Sequence, residues 1–277
     1  MDDFYLVLLS NTTSHSSTFY DNLNTVSEFT TQLPHNIELG YDKWECALCS
    51  ISYLHSWYNI DEDSHIYVDL LESVESNTAA SDDEIQRIKK KILIPKGHYD
   101  DDGQSFASML TKEIQNAGSK SEFQYRARTN TMVLIVKNKE IITMEKYLAH
   151  LMGFQFTTFA HTAFHLSHGK PSMAFETSNA VDFNLKTHNL FVYCDILEDT
   201  LLGGFYHPLL ALVPTRKENY DTYVTNTFTD RHYIPMNSNV ISRIKICIKD
   251  DRDENIKFRG GRTSLKLHFR RKNKLLK

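Results

Sequence analysis

Apolar residues recur at every second position through much of this chain. In Arg243-Ile244-Lys245-Ile246-Cys247-Ile248-Lys249 the isoleucines share one face and the lysines the other, the pattern of a strand half-buried against a core. Leu265-Lys266-Leu267-His268-Phe269-Arg270 repeats it. Between them, residues 250–255 form a polar turn and Gly260-Gly261 a second break, so the chain is expected to end in a hairpin series. Strands are also predicted at about residues 4–10, 28–33, 43–54 and 65–71, punctuated by Pro34 and Gly40. Further strands are predicted at 190–197, 205–213 and 223–234.

The middle of the chain changes period. A charged stretch over residues 82–91 leads into Ile92-Leu93-Ile94-Pro95. Asp102 then stands where a helix cap belongs, ahead of Phe106, Met109, Leu110, Ile114 and Ala117 at helical spacing, with Gly118 as the stop. Strands at 122–128 and 131–136 follow. A second helix is predicted from about Thr143, with Met144, Tyr147, Leu148 and Leu151 on one face and Gly153 at its end. Helix, strand, strand, helix is a compact unit set between strand-rich flanks. The expectation is a mainly β fold, residues 1–74 and 176–277, interrupted by a small α/β insertion domain over 75–175.

Composition adds limits. With 41% hydrophobic and 24% charged residues the chain is an ordinary globular protein, which excludes global disorder and fibre-forming repeats. The most apolar opening run, Phe4 to Leu9, follows two aspartates and is short for a signal peptide, and no apolar run approaches the roughly 20 residues of a membrane helix. A soluble protein made inside a cell without a signal peptide, and with no membrane partner, is expected. Four scattered cysteines do not make a disulfide framework. The sequon at Asn11 would matter only in a secreted protein. The net charge of −4 conceals an asymmetry: residues 243–277 carry 13 Lys+Arg against 4 Asp+Glu, a net of +9, leaving −13 on the remainder. The tail 270–277, with Arg270, Arg271, Lys272, Lys274 and Lys277, is the candidate contact with DNA phosphates or an acidic partner subunit. It lacks the interleaved aromatics that stack on single strands.

Candidate chemistry is sparse. Cys46-Ala47-Leu48-Cys49 has zinc-site spacing, but within a strand residues three apart face opposite ways and no second pair completes a set of four ligands. Buried structural thiols are expected. His161, His165 and His168 are spaced HxxxHxxH, without the glutamate of a metalloprotease helix and in a segment better suited to a loop; a surface or interface cluster is expected. Asp100, Asp101 and Asp102 beside Gly103 lack the ligand spacing and closing glutamate of a calcium loop and are expected to serve the following helix. No GxSxG, phosphate-binding loop or dinucleotide fingerprint occurs. No enzyme activity and no cofactor are expected.

The segment Phe29-Thr30-Thr31-Gln32-Leu33-Pro34, followed by Ile37 and Lys43-Trp44-Glu45-Cys46-Ala47-Leu48, resembles the opening of minor capsid (penton) proteins of Polinton/Maverick elements and adintoviruses. Pro95-Lys96-Gly97-His98-Tyr99, Leu151-Met152-Gly153-Phe154, Val192 to Leu197, Phe258-Arg259-Gly260-Gly261 and Leu267 to Arg271 extend the resemblance over nearly the whole chain. The resemblance implies a jelly-roll β-sandwich. It also implies assembly as a homopentamer at the five-fold vertices of an icosahedral particle, beside a double jelly-roll major capsid protein, and a place in the virion. It carries over no catalytic or ligand residue. Two alternatives stand beside it: a cupin-like metal-binding enzyme, since such β folds hold metals with histidines, and a nucleic-acid-binding protein, suggested by the basic tail.

Overall fold

The structure, a computed structural model, describes residues 3–10, 24–40, 43–73, 85–99, 102–160, 172–215 and 220–272. In chain order its elements begin with β1 (Asp3–Leu9), β2 (Glu28–Glu38) and β3 (Trp44–Leu54). Next come β4 (Ser64–Ser73), β5 (Ile85–Ile94), α1 (Gly103–Asn116), β6 (Glu122–Arg126), β7 (Thr131–Lys137), β8 (Ile141–Met144), α2 (Lys146–Leu151), β9 (Thr158–Ala160) and β10 (Ser172–Glu176). The chain continues through β11 (Asn189–Cys194), β12 (Thr200–Leu202), β13 (Phe205–His207), β14 (Leu209–Pro214) and β15 (Tyr223–Thr227). It closes with β16 (Ile234–Pro235), β17 (Val240–Lys249) and β18 (Ser264–Arg271). Two compact units result. The first comprises Met1–Trp57 with Lys186–Lys277, and the second Tyr58–Leu185.

The first unit consists of two antiparallel sheets and a small hairpin. One sheet has the order β1-β18-β3-β15, with β16 also paired to β3, and the other the order β14-β11-β17-β2. Alternation is why they pack. Ile244, Ile246 and Ile248 of β17 and Leu265, Leu267 and Phe269 of β18 are fully buried and join Ile51, Tyr53 and Val192 in one core, so both sheets share it as in a β-sandwich. Strand β2 runs on through Pro34 to Glu38, past the end expected at residue 33; it is an edge strand, where a missing N–H costs no ladder bond. The predicted strand at 205–213 is divided at Pro208 into β13 and β14, and that at 223–234 into β15 and β16.

The second unit has a sheet of order β5-β4-β8-β9, another of order β10-β7-β6, and two helices. Strand β4 belongs here through its ladders to β5 and β8, although its alternation matches that of the strands before it. Helix α1 buries Phe106, Leu110 and Ile114 against Leu134, Val136 and Ile142, and Gly118 past its end takes φ +99°, a value that suits glycine. One stretch gains an element and one expectation is corrected. The charged stretch, for which no element was predicted, is largely a strand: β5 sets Ile92 and Ile94 into the core and Arg87, Lys89 and Lys91 outward. Thr143 and Met144 do not start a helix but end β8, because the β-branched run Ile141-Ile142-Thr143 pairs with β4; α2 starts at Lys146 after Glu145 in extended conformation. No helix among the described residues is long and apolar enough to cross a membrane.

Candidate functional site

The basic end of the chain begins inside a sheet. Arg270 and Arg271 are the last residues of β18, and the backbone N–H of Lys272 donates to Lys43 O at 2.8 Å. Antiparallel register sets Arg270 opposite Glu45 of β3. The Arg270 Nε donates to Glu45 Oε1 at 2.6 Å, and the guanidinium lies 3.4 Å from the Tyr233 ring centroid. Glu45 is only 8% exposed, so removing Arg270 would leave a buried carboxylate without its countercharge. Arg270 is thereby committed within its own chain. Lys272 is exposed, while Lys274 and Lys277 lie outside the described residues.

Two residues earlier, on the same face of β18, His268 is 6% exposed. Its Nδ1 lies 2.6 Å from the Tyr233 hydroxyl and its Nε2 3.2 Å from Asp3 Oδ2, while Tyr5 of β1 stacks on the ring at 4.3 Å. Lys266 continues the row with its Nζ 4.8 Å from the Tyr5 ring centroid. Hydrogen bonds to the Tyr233 and Tyr5 hydroxyls push the Arg231 guanidinium pKa up. An Asp–His–Tyr series has the connectivity of a base-activated hydroxyl. Here the imidazole is buried and the Tyr233 ring is covered by Arg270, so the row acts as a latch holding β1 to β18 and to the segment before β16.

The cysteines are inert in this setting. Cys46, Cys49 and Cys194 are buried free thiols, and burial pushes Cys46 well up and Cys194 up to about 12, so neither is a thiolate at neutral pH. His161, His165 and His168 lie outside the described residues, as do Asp100 and Asp101. Asp102 is the α1 cap: its carboxylate accepts from the N–H groups of Gln104 and Ser105. The Ser105 hydroxyl and then the Gln104 N–H hold its pKa below the usual range. Among the described residues no group of three His, Cys, Asp or Glu is placed to hold a metal ion.

A second surface went unnoticed in the sequence. The β12–β13 hairpin turns through Gly203 and Gly204, at φ +59° and +104°, and holds up Leu201, Phe205 and Tyr206 at 66%, 73% and 69% exposure. Beside it lies a cleft of about 410 Å³ lined by Leu48, Leu201, Leu210, Phe228 and Ile234, with Asp230 and His232. Three large apolar side chains presented on one small hairpin are the composition of a contact surface rather than of a solvated turn. The signal available in the sequence was Leu201-Leu202-Gly203-Gly204-Phe205-Tyr206, a two-glycine turn flanked by apolar pairs.

No protein-family model matches the chain, and comparison with curated proteins gives no match. Among solved structures its fold is similar to that of the crystal structure of SeMet-labelled mavirus penton protein, with a TM-score of 0.50 and 10% sequence identity. The match covers 98% of this chain and 100% of that one. At that identity the likeness is one of fold.

Proposed function

We propose that this chain is a structural capsid protein of the penton type, related to the minor capsid proteins of Polinton/Maverick elements and adintoviruses, and that it works in the virion without catalysis. The observation that carries the reading is the fold likeness to a penton protein over essentially the full length of both chains. Strand pairing supports a jelly roll for the first unit. With the β12–β13 hairpin set aside and β15 and β16 counted together, the eight strands of its two sheets pair first with eighth, second with seventh, third with sixth and fourth with fifth. That is a long antiparallel hairpin rolled into two sheets. On this reading the second unit is an insertion between the third and fourth strands.

Five copies would surround a vertex and meet a double jelly-roll major capsid protein at their rim. A ring needs one patch to fit a different patch on the next copy. The hairpin carrying Leu201, Phe205 and Tyr206 is the apolar candidate, and the basic end from Lys272 through Lys274 and Lys277 the charged one, for an acidic partner or DNA. Mass measurement in solution with electron microscopy of the purified chain tests the assignment: pentamers or five-fold rings are expected, and a monomer that never enters co-expressed major-capsid shells would defeat it. Replacing Phe205 and Tyr206 together by serine is expected to lower self-association at least about tenfold while changing monomer stability by less than about 0.5 kcal/mol.

A further inference from the structure

We propose that the β12–β13 hairpin of one copy of this chain seats in the cleft beside the same hairpin on a second copy. The inference rests on the capsid reading for the number of copies and deepens it by naming the patch that receives the hairpin. The cleft arises from an interruption in strand pairing. Tyr223 to Thr227 of β15 pair with Leu54 to Ser50 of β3, and Ile234 of β16 pairs with Cys46, so residues 228–233 stand against residues 47–49. The longer stretch must loop outward. A cleft opens there, walled on its other side by β14, the edge strand of the facing sheet. Leu48, Leu210 and Ile234 in its lining are buried, Phe228 is half-buried and Leu212 is 44% exposed. The outward loop adds Asp230 and His232, both exposed.

The hairpin supplies the complement. In its ladder Leu201 stands opposite Tyr206 and Leu202 opposite Phe205, and neighbouring pairs face opposite ways, so apolar side chains stand on both faces. A flat partner surface covers one face of such a hairpin; a cleft covers both. Tyr206 also carries a hydroxyl that the Asp230 carboxylate can accept from. The exposed parts of Leu201, Phe205 and Tyr206 come to roughly 400 Å², about half of one partner's share in an interface of standard size. The cleft provides a further apolar area on every copy. That pairing of features selects a second copy as the occupant. A foreign protein filling the cleft would leave the hairpin in water, and one covering the hairpin would leave the cleft. In a closed ring of this chain each hairpin and each cleft is used once and neither remains open. Leu201 lines the cleft of its own chain, so the two patches adjoin, as they must where the two contact faces of a ring subunit converge toward the axis.

The test mixes two variants of the full chain. Phe205→Ser with Tyr206→Ser strips the hairpin and keeps the cleft; Leu212→Glu sets a second carboxylate in the cleft with Asp230 and keeps the hairpin. Each alone is expected to self-associate at least about tenfold more weakly than the parent in sedimentation. Mixed in equal amounts they should form a pair of chains and nothing larger, because one sound hairpin then faces one sound cleft. The replaced side chains are all exposed, so both variants should melt with the parent; if Leu212→Glu does not fold, His232→Glu in the same lining takes its place. A folded cleft variant that associates like the parent, a mixture that stays monomeric, or a parent that is monomeric at every concentration would overturn the inference. Pentamers indifferent to both variants would sink this inference and leave the capsid reading standing. A parent that forms only pairs, lost in each variant and recovered on mixing, would uphold the contact and sink the five-fold reading alone.

Discussion

Among the described residues the first unit holds eleven strands and the second seven with two helices, and the two close their folds in opposite ways. In the first, partners come from the two ends of the chain: β18 lies between β1 and β3, Ser10 N–H reaches the Thr263 carbonyl, and Gln32 donates to Ser242 O across 210 residues. In the second, β4 pairs with β5 and β6 with β7, and α1 packs on the strand that follows it, all within one continuous segment. Loop closure must be met before distant contacts reward it. The second unit is therefore expected to form as soon as its segment exists, whereas the first waits for β18.

The strongest way to break this contrast is to damage β18. Phe269 is fully buried, stacked on Phe4 at 4.7 Å and opposite Cys46 in the ladder, so it ties β18 to both neighbouring strands, β1 and β3. Phe269→Ala is expected to cost about 3–5 kcal/mol. Calorimetry should show the first unit's transition falling while the second unit's stays in place, and residues 58–185 expressed alone should melt at that unchanged temperature. A single transition that moves as one would refute the independence of the two units.

The reciprocal lesion is Glu140. Its carboxylate is 2% exposed and accepts from the Ser119 and Ser121 hydroxyls and the Lys120 N–H, tying the turn after α1 to the turn before β8. Ser121 Oγ in turn accepts from the Lys137 N–H. Glu140→Ala leaves buried donors without an acceptor, at about 1–3 kcal/mol. Only the second unit's transition should move. A shift confined to the first unit would sever the link between sequence continuity and stability.

The same contrast governs what could be read from sequence. Alternation announced β17 and β18, and helical spacing with an aspartate cap announced α1, because each depends on residues within one element. Strand β5 was hidden because an edge strand can spend its outward positions on cations: Arg87, Lys89 and Lys91 take those positions, and Lys90 interrupts the inward row that Ile92 and Ile94 continue. The start of α2 was misplaced because Met144 is apolar in either period. On the linear pattern Arg270 belongs to a tail offered to DNA phosphates or an acidic partner subunit, and only the pairing with β3, 225 residues away, brings Glu45 to it. What pairing decides, a linear reading cannot supply.

The smallest expected effect is electrostatic and separates the units by pH. Glu28 of β2 meets Lys245 of β17 at 2.6 Å and accepts from Asn255 at 2.9 Å. The hydrogen bond from Lys245, then that from Asn255, lowers the Glu28 pKa from its ordinary 4.5. A carboxylate with a depressed folded pKa adds stability that is complete above its unfolded value and is lost as pH falls through the folded one. The Lys245 pKa is raised from 10.5, chiefly by its hydrogen bond to Glu28, so its share is complete below 10.5 and lost as pH climbs through the raised value. Both side chains are more than a third exposed, and solvent screening holds the pair to less than about 1 kcal/mol. Denaturant unfolding of the first unit should therefore show Lys245→Met weaker than the parent at neutral pH, with the two converging as pH drops below 4.5. The second unit, whose transition contains neither residue, is the internal reference: equal convergence there would mean that general acid expansion, and not this pair, sets the acid limb.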